Sequence, residues 1–317
     1  MEFLFDPPVL FFFAGWASVW FRSDLKIPDA VSSFLSIYLL FCIGFKGGVQ
    51  LRAHGISPEG LSFLGLALLG SVLIPVVSFF VLRKKLGNVD AAAIAACYGS
   101  VSAVTFAIAT EHAADLNWTT GPHTVVGMAL MEAPAIVVSL MLLTRFEPDS
   151  SQMKRSKIIL KSLTNSGVFL LIASFFVGWA ANPSAVAALK PVTADLFKGA
   201  LCFFLIDKGI LAAQRFFEAL KKGKAPFVFA ILTPIVSLFL AIFGAYFLGL
   251  SNGDALILSM LLASASYIAA PAAIKLCLPQ ANPSLFVTLA LGVTFPFNIL
   301  VGLGLATAII NNLWGTK

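Results

Sequence analysis

Ala263-Ser264-Ala265-Ser266-Tyr267-Ile268-Ala269-Ala270-Pro271 interrupts an apolar segment that runs from about Asp254 to Leu278. A helix in hydrocarbon must satisfy its own backbone, so small hydroxylated residues followed by a proline at mid-segment predict a local break that lines a polar cavity. Gly99-Ser100-Val101-Ser102-Ala103-Val104-Thr105 is a second version of the pattern. The two align by a constant shift: Asn88 and Asn252, Asp90 and Asp254, Ser100 and Ser264, and Ser102 and Ser266 each lie 164 positions apart. One such motif would be read as a small-residue surface that lets helices pack closely. Two in register, each inside a broken span, point instead to the substrate site of a transporter.

Composition places the breaks in a membrane. The chain has 317 residues, of which 59% are apolar and 11% charged, and a mean hydropathy of +0.95, far outside the range of soluble domains. The longest connection, Arg145 to Lys157, is too short to bury a core, so no enzyme domain is expected. The net charge of +6 calls for a topological reading, and the absence of aromatic-basic interleaving argues against nucleic acid. Cys42, Cys97, Cys202 and Cys277 fall inside apolar segments without the paired spacing of a zinc or redox site, and read as buried free thiols. His54, His112 and His123 sit singly in or beside connections, so neither a transition-metal site nor an organic cofactor is expected. Met1 to Asp6 lack a basic signal-peptide start and read as the lead into a retained first helix.

Windows of roughly 17 to 25 apolar residues give ten spans in an all-α protein. The first half holds Pro8–Phe21, Val31–Val49, Leu61–Leu82, a broken span Asn88–Ala113, and His123–Leu143; the second holds Ile158–Ala181, Asp195–Phe217, Pro226–Leu248, a broken span Asn252–Leu278, and Pro283–Asn311. The first is short for a ~30 Å hydrocarbon core at ~1.5 Å rise per residue. Further echoes join the halves: Lys46-Gly47 with Lys208-Gly209 and Pro134 with Pro296, each 162 positions apart. Five spans per half invert the second half, so the expected architecture is two inverted repeats, 1–145 and 163–317, joined by a cytoplasmic linker 146–162, with discontinuous helices four and nine crossing. Basic residues set the orientation. Arg83-Lys84-Lys85, Lys154 to Lys161 and Lys221 to Lys224 gather on one side, whereas the other receives only Arg52, Lys190, Lys198 and Lys317; the first side is then cytoplasmic and both termini lie outside.

At the crossing, two half-helix N-termini offer amide donors and partial positive charge to a small anion. Anion contacts are assigned to Gly99, Ser100, Val101, Ser102, Ala263, Ser264, Ala265 and Ser266. Glu132 lies mid-way along the fifth span, two residues before Pro134, and reads as a cation ligand or proton acceptor, the alternative being a protonated carboxyl hydrogen-bonded in the core. Thr294 occupies the matching place before Pro296 and Asn298 follows; with Thr105 and Glu132 they form the expected Na⁺ set, although each polar side chain could bond its own helix instead. Lys46, Asp207, Lys208 and Tyr267 are expected in supporting positions. Lys46 either snorkels outward or meets substrate. Asp207 and Lys208, adjacent on one helix, are not expected to form a self-contained pair, because neighbouring residues point apart.

Ala263 to Leu276, Ala281-Asn282-Pro283-Ser284-Leu285 and Gly292-Val293-Thr294-Phe295-Pro296-Phe297-Asn298, together with Gly44 to Gly48, Gly99 to Thr105 and Met131-Glu132-Ala133-Pro134, closely resemble the sodium-dependent bicarbonate transporters first known from cyanobacteria. The resemblance spans essentially the whole chain. It implies inverted five-helix repeats, a core domain holding the broken helices, a gate domain that trimerises, Na⁺-coupled bicarbonate import through the cell's inner membrane, and regulation by a small soluble PII-type protein. It also implies an aspartate where this chain has Glu132, and no charge at Lys208. A symporter of another small anion or organic acid, or an anion channel, would use the same dipole ends; the absence of a cavity arginine weighs toward a small anion.

Overall fold

A computed structural model describes residues 5–55, 57–147, 166–221 and 223–315. The linker lysines and arginine at 154, 155, 157 and 161, the start of the sixth expected span at Ile158, Lys222 and Lys317 lie outside these residues. Among the described residues the regular structure is entirely helical. The elements are α1 Pro7–Trp20, α2 Asp29–His54, α3 Pro58–Leu86, α4 Asn88–Gly99, α5 Ala103–Asp115, α6 His123–Phe146, α7 Ser166–Ala180, α8 Pro183–Lys190, α9 Phe197–Leu220, α10 Lys224–Phe247, α11 Asn252–Ala263, α12 Ala269–Cys277 and α13 Pro283–Trp314. Local chemistry sets the ends. Prolines open α1, α3, α8 and α13, where a missing N–H costs nothing. Ser57, Asn182, Ser251 and Asn282 cap first-turn amides with their side chains. Gly87 and Gly249, at φ 81° and 71°, turn the chain out of α3 and α10 in the left-handed region.

Six of these units are long and apolar enough to cross a membrane: α2, α3, the α4–α5 pair Asn88–Asp115, α6, α10 and α13. α1, α11 and the Phe169–Ala180 part of α7 are apolar but shorter, and α9 carries Lys198, Asp207, Lys208, Arg215 and Glu218. The protein is thus an all-α, multi-pass membrane protein. An outward belt of exposed apolar side chains, such as Leu61, Leu69 and Val77 on α3 and Leu232, Val236 and Leu240 on α10, fits hydrocarbon surroundings. α8 and the π-helical turn Pro191–Asp195 were not anticipated as helix; they precede α9 and bury little beyond Thr193.

Two groups of helices pack separately before meeting. In one, α1 lies along α9 and α2 along α7, and both contacts use glycines that let backbones touch. A Cβ at Gly15 or Gly209 would overlap the carbonyl oxygen of Ile206 or Phe12, and one at Gly178 or Gly48 that of Phe45 or Phe175. In the other group α3, α4 and α6 pack together, as do α10, α11 and α13. The hydropathic window of α4–α5 is 94% buried, against 33% for α3, so the broken helix is the centre of this group and α3 its rim.

Connections meet in pairs. Asp90 at the start of α4 accepts the Asn282 amide at 2.8 Å, and Asp254 at the start of α11 accepts the Gly121 amide at 2.9 Å. Asp254 also faces His123 Nε2 at 3.1 Å. His123, which opens α6 beside that connection, is buried within ion-pair distance of this carboxylate but without hydrogen-bond geometry. Cys202 departs from its expectation, being only half-buried, while Cys42, Cys97 and Cys277 are buried free thiols.

Candidate functional site: the crossing of two broken helices

The backbone leaves helical geometry at Ser100, with φ −85° and ψ 176°, and again at Ser264, with φ −82° and ψ 167°. Each break is stabilised by the other. Ser102 N–H donates to Ser264 Oγ at 3.0 Å, and Ser266 N–H donates to the Cys97 carbonyl at 2.8 Å. The serine hydroxyls then cap the half-helices that follow: Ser102 Oγ accepts from Thr105 N–H at 3.2 Å and Ser266 Oγ from Ala270 N–H at 3.1 Å. Matching serines thus perform matching tasks. With those donors engaged, the amides of Ala103, Val104, Ile268 and Ala269, residues on the cavity wall, are the ones free of side-chain caps at the two half-helix starts.

A cavity of about 580 Å³ opens beside the crossing. One wall comprises Val101 and Ser102, Ser266 and Tyr267, and Met128 and Glu132 of α6; the opposite wall is Ser33 and Ser36 of α2 with Phe169 and Leu171 of α7. The cavity therefore lies between the two helix groups. Glu132, partly exposed to it, accepts a 2.6 Å hydrogen bond from Ser100 Oγ. Tyr267 stacks edge-on against Phe295 at 5.5 Å between ring centroids.

The expected cation residues divide. Thr294 Oγ1 donates to the Ala230 carbonyl at 2.7 Å and meets Tyr98 OH at 2.7 Å, tying α13 to α4 and α10. Asn298 Nδ2 donates to the Ala263 carbonyl at 2.8 Å and so holds the end of α11 at the break. Its buried Oδ1 and the buried Thr105 Oγ1 have no hydrogen-bond partner among the described residues, a costly state for neutral acceptors and a usable one for oxygens that meet a cation. Two π-helical turns, Ala290–Thr294 and Asn298–Gly302, flank Pro296 in α13; they displace the hydrogen-bond ladder around Thr294 and Asn298, whose own backbone stays helical.

Gly99, Ser100, Val101, Ser102, Ala263, Ser264, Ala265 and Ser266 are all buried at the crossing, but only Val101, Ser102 and Ser266 line the cavity. Half-buried Lys46 has its Nζ over the Phe197 ring, 4.6 Å from the centroid, and does not line the cavity. Asp207 and Lys208 contradict the expectation that they would not pair. Lys208 Nζ lies 2.7 Å from Asp207 Oδ2, Ser32 Oγ donates to the same oxygen at 2.6 Å, and Lys208 reaches back to Ser32 Oγ at 3.2 Å. The lysine side chain bends back so that its Nζ lies over Phe204, 4.5 Å from the ring centroid, and so overcomes the divergence of adjacent Cβ vectors. Sequence reasoning missed Ser33, Ser36, the Cys97 carbonyl and Tyr98; hydroxyls recurring at 32, 33 and 36 within an apolar α2 were the available signal.

Paired discontinuous helices beside a cavity that carries serine hydroxyls and a carboxylate on a largely apolar wall, in a multi-pass helical protein, are characteristic of membrane transport proteins. The sequence profile of the Na⁺-dependent bicarbonate transporter superfamily matches residues 7–311. The chain belongs to that family, a transporter family. No curated protein matches it.

Proposed function

We propose that the protein imports bicarbonate together with Na⁺ by alternating access. The observation that carries the reading is the mutual bracing of the breaks, Ser102 N–H to Ser264 Oγ and Ser266 N–H to the Cys97 carbonyl, beside a cavity that also holds Glu132. Fixed amide dipoles suit a small anion, and the carboxylate with the orphan oxygens of Thr105 and Asn298 suits Na⁺. Coupling follows from charge: the ion pair is cheaper to carry past an apolar barrier than either ion alone.

In this reading the anion meets Val101, Ser102, Ser266 and the amides beside them, and Gly99, Ser100, Ala263, Ser264 and Ala265 shape the break. Glu132, Thr105 and Asn298 take the cation, with Thr294 holding α13, the helix of Asn298, against α4 and α10. The repeats 1–145 and 163–317 are inverted copies joined by 146–162. Support comes from the glycine contacts, since Phe12, Gly15, Ile206 and Gly209 take the same contacts as Phe175, Gly178, Phe45 and Gly48 when the halves are exchanged, one residue off the Gly47 and Gly209 register of the sequence, and from the Asp90 and Asp254 bonds to opposite connections. α1, α2, α7 and α9 form a gate that trimerises, and the remaining helices form the moving core. The protein sits in the inner membrane with its outer ends at α1 and the close of α13, and its basic cytoplasmic face receives an acidic, PII-like regulator.

Uptake of labelled bicarbonate into vesicles, with and without an inward Na⁺ gradient, tests the proposal. Gradient-dependent accumulation is expected; uptake that equilibrates but never concentrates, whatever the Na⁺ gradient, would mark a channel instead.

A further inference from the structure

A second, larger hollow lies on the outer surface and shares no lining residue with the cavity beside the crossing. It is a trough of about 740 Å³ lined only by α3 and α10, running from Leu73 to Lys85 on one side and from Leu240 to Lys224 on the other. Twelve steps along α3 at a rise of ~1.5 Å make that side roughly 18 Å long, about the half of a ~30 Å hydrocarbon core that one leaflet fills. Its wall is aliphatic over most of that length, with Val77, Val81, Val228 and Val236 exposed along it. The basic end is different. Lys85 and Lys224, both exposed, stand on opposite lips of the same mouth.

The neighbouring basic residues separate the mouth from a general positive rim. Arg83 is engaged elsewhere, its guanidinium 3.7 Å from the Phe146 ring centroid, and Lys84 does not line the trough. We propose that the trough is a binding site for one anionic phospholipid, its phosphate held between Lys85 and Lys224 and one acyl chain laid between α3 and α10. Charge and shape favour this occupant over a second copy of the chain, because a self-interface here would bring four lysines together. Each lysine near an anionic headgroup is worth about fivefold in partition, and the pair therefore roughly 25-fold. A lipid so placed clips a helix of the first half to a helix of the second.

The test uses delipidated full-length protein in mixed micelles with equal amounts of phosphatidylglycerol and phosphatidylcholine of the same acyl chains, the retained lipid being measured by mass spectrometry. Wild type should retain phosphatidylglycerol in roughly 25-fold preference. Lys85→Ala/Lys224→Ala should bring the ratio close to parity, Lys84→Ala should leave it intact, and Val236→Trp, which fills the trough, should lower retention of both lipids. Parity in the wild type, an unchanged ratio in the double variant, an equal loss in Lys84→Ala, or displacement of the lipid by excess inorganic phosphate would each overturn the proposal. The readout is lipid retention, so it stands or falls apart from the transport assay.

Discussion

Ser102 N–H donates to Ser264 Oγ at 3.0 Å, so a residue of the first half is held by its 162-position neighbour in the second. Ser264 Oγ donates its own hydrogen bond to the Leu261 carbonyl at 2.8 Å, which leaves its oxygen free to accept from Ser102. The two breaks form one hydrogen-bonded unit.

Ser264→Ala therefore strands a buried amide. The expected cost is about 1–3 kcal/mol, visible as a lowered melting temperature in detergent and a weaker apparent affinity for bicarbonate. Ser102→Ala removes the cap on Thr105 and should cost about 1 kcal/mol. Unchanged affinity in both variants would remove the crossing from the substrate path.

Glu132 distinguishes cation binding from helix packing. As a Na⁺ ligand it must be ionised when the ion is bound, so protons and Na⁺ compete and lowering the pH raises the Na⁺ concentration for half-maximal uptake. Glu132→Gln should then impair Na⁺ dependence severely, and Glu132→Asp should keep it. A packing role predicts the reverse order, with Gln nearly silent and Asp worse because it leaves a gap. Na⁺ titrations of both variants at two pH values decide the ranking.

The Asp207, Lys208 and Ser32 cluster is buried, with each charged residue 6% exposed. Asp207→Asn or Lys208→Met alone leaves an uncompensated charge and should destabilise the fold by about 3–5 kcal/mol. The double variant Asp207→Asn/Lys208→Met should recover most of that loss. Thermal unfolding of the three variants measures the coupling, and additive losses would show that the pair acts separately.

Asp90 and Asp254 occupy matching positions but unequal surroundings. Asp254 is 5% exposed, faces His123 and holds the Gly121 amide, whereas the Asp90 bond to Asn282 lies exposed to solvent. Asp254→Ala should cost about 2–4 kcal/mol, and Asp90→Ala about 1 kcal/mol or less. Melting temperatures of the two variants give the comparison directly.

Hydrophobic length, the paired Gly and Ser interruptions and the proline placements were legible in the sequence because membrane helices are dictated locally: each must satisfy its own backbone, and departures from that rule stand out in composition. Thus α4, α5, α11 and α12 lie where the serine motifs place them, and the ends of α3 and α10 differ from expectation by a few residues. Partnership was not legible. The sequence marked Ser100, Ser102, Ser264 and Ser266 together, but which hydroxyl caps a half-helix, which reaches Glu132 and which receives the other break depends on how two remote segments cross. The Asp207–Lys208 pair failed as a sequence expectation for the same reason, since spacing along a helix gives the Cβ directions and says nothing of Phe204 and Ser32, which fold the lysine back. Interaction energies in a packed interior fall off within a few ångströms, so only the tertiary structure, which sets those distances, decides among side chains that the sequence makes equally eligible.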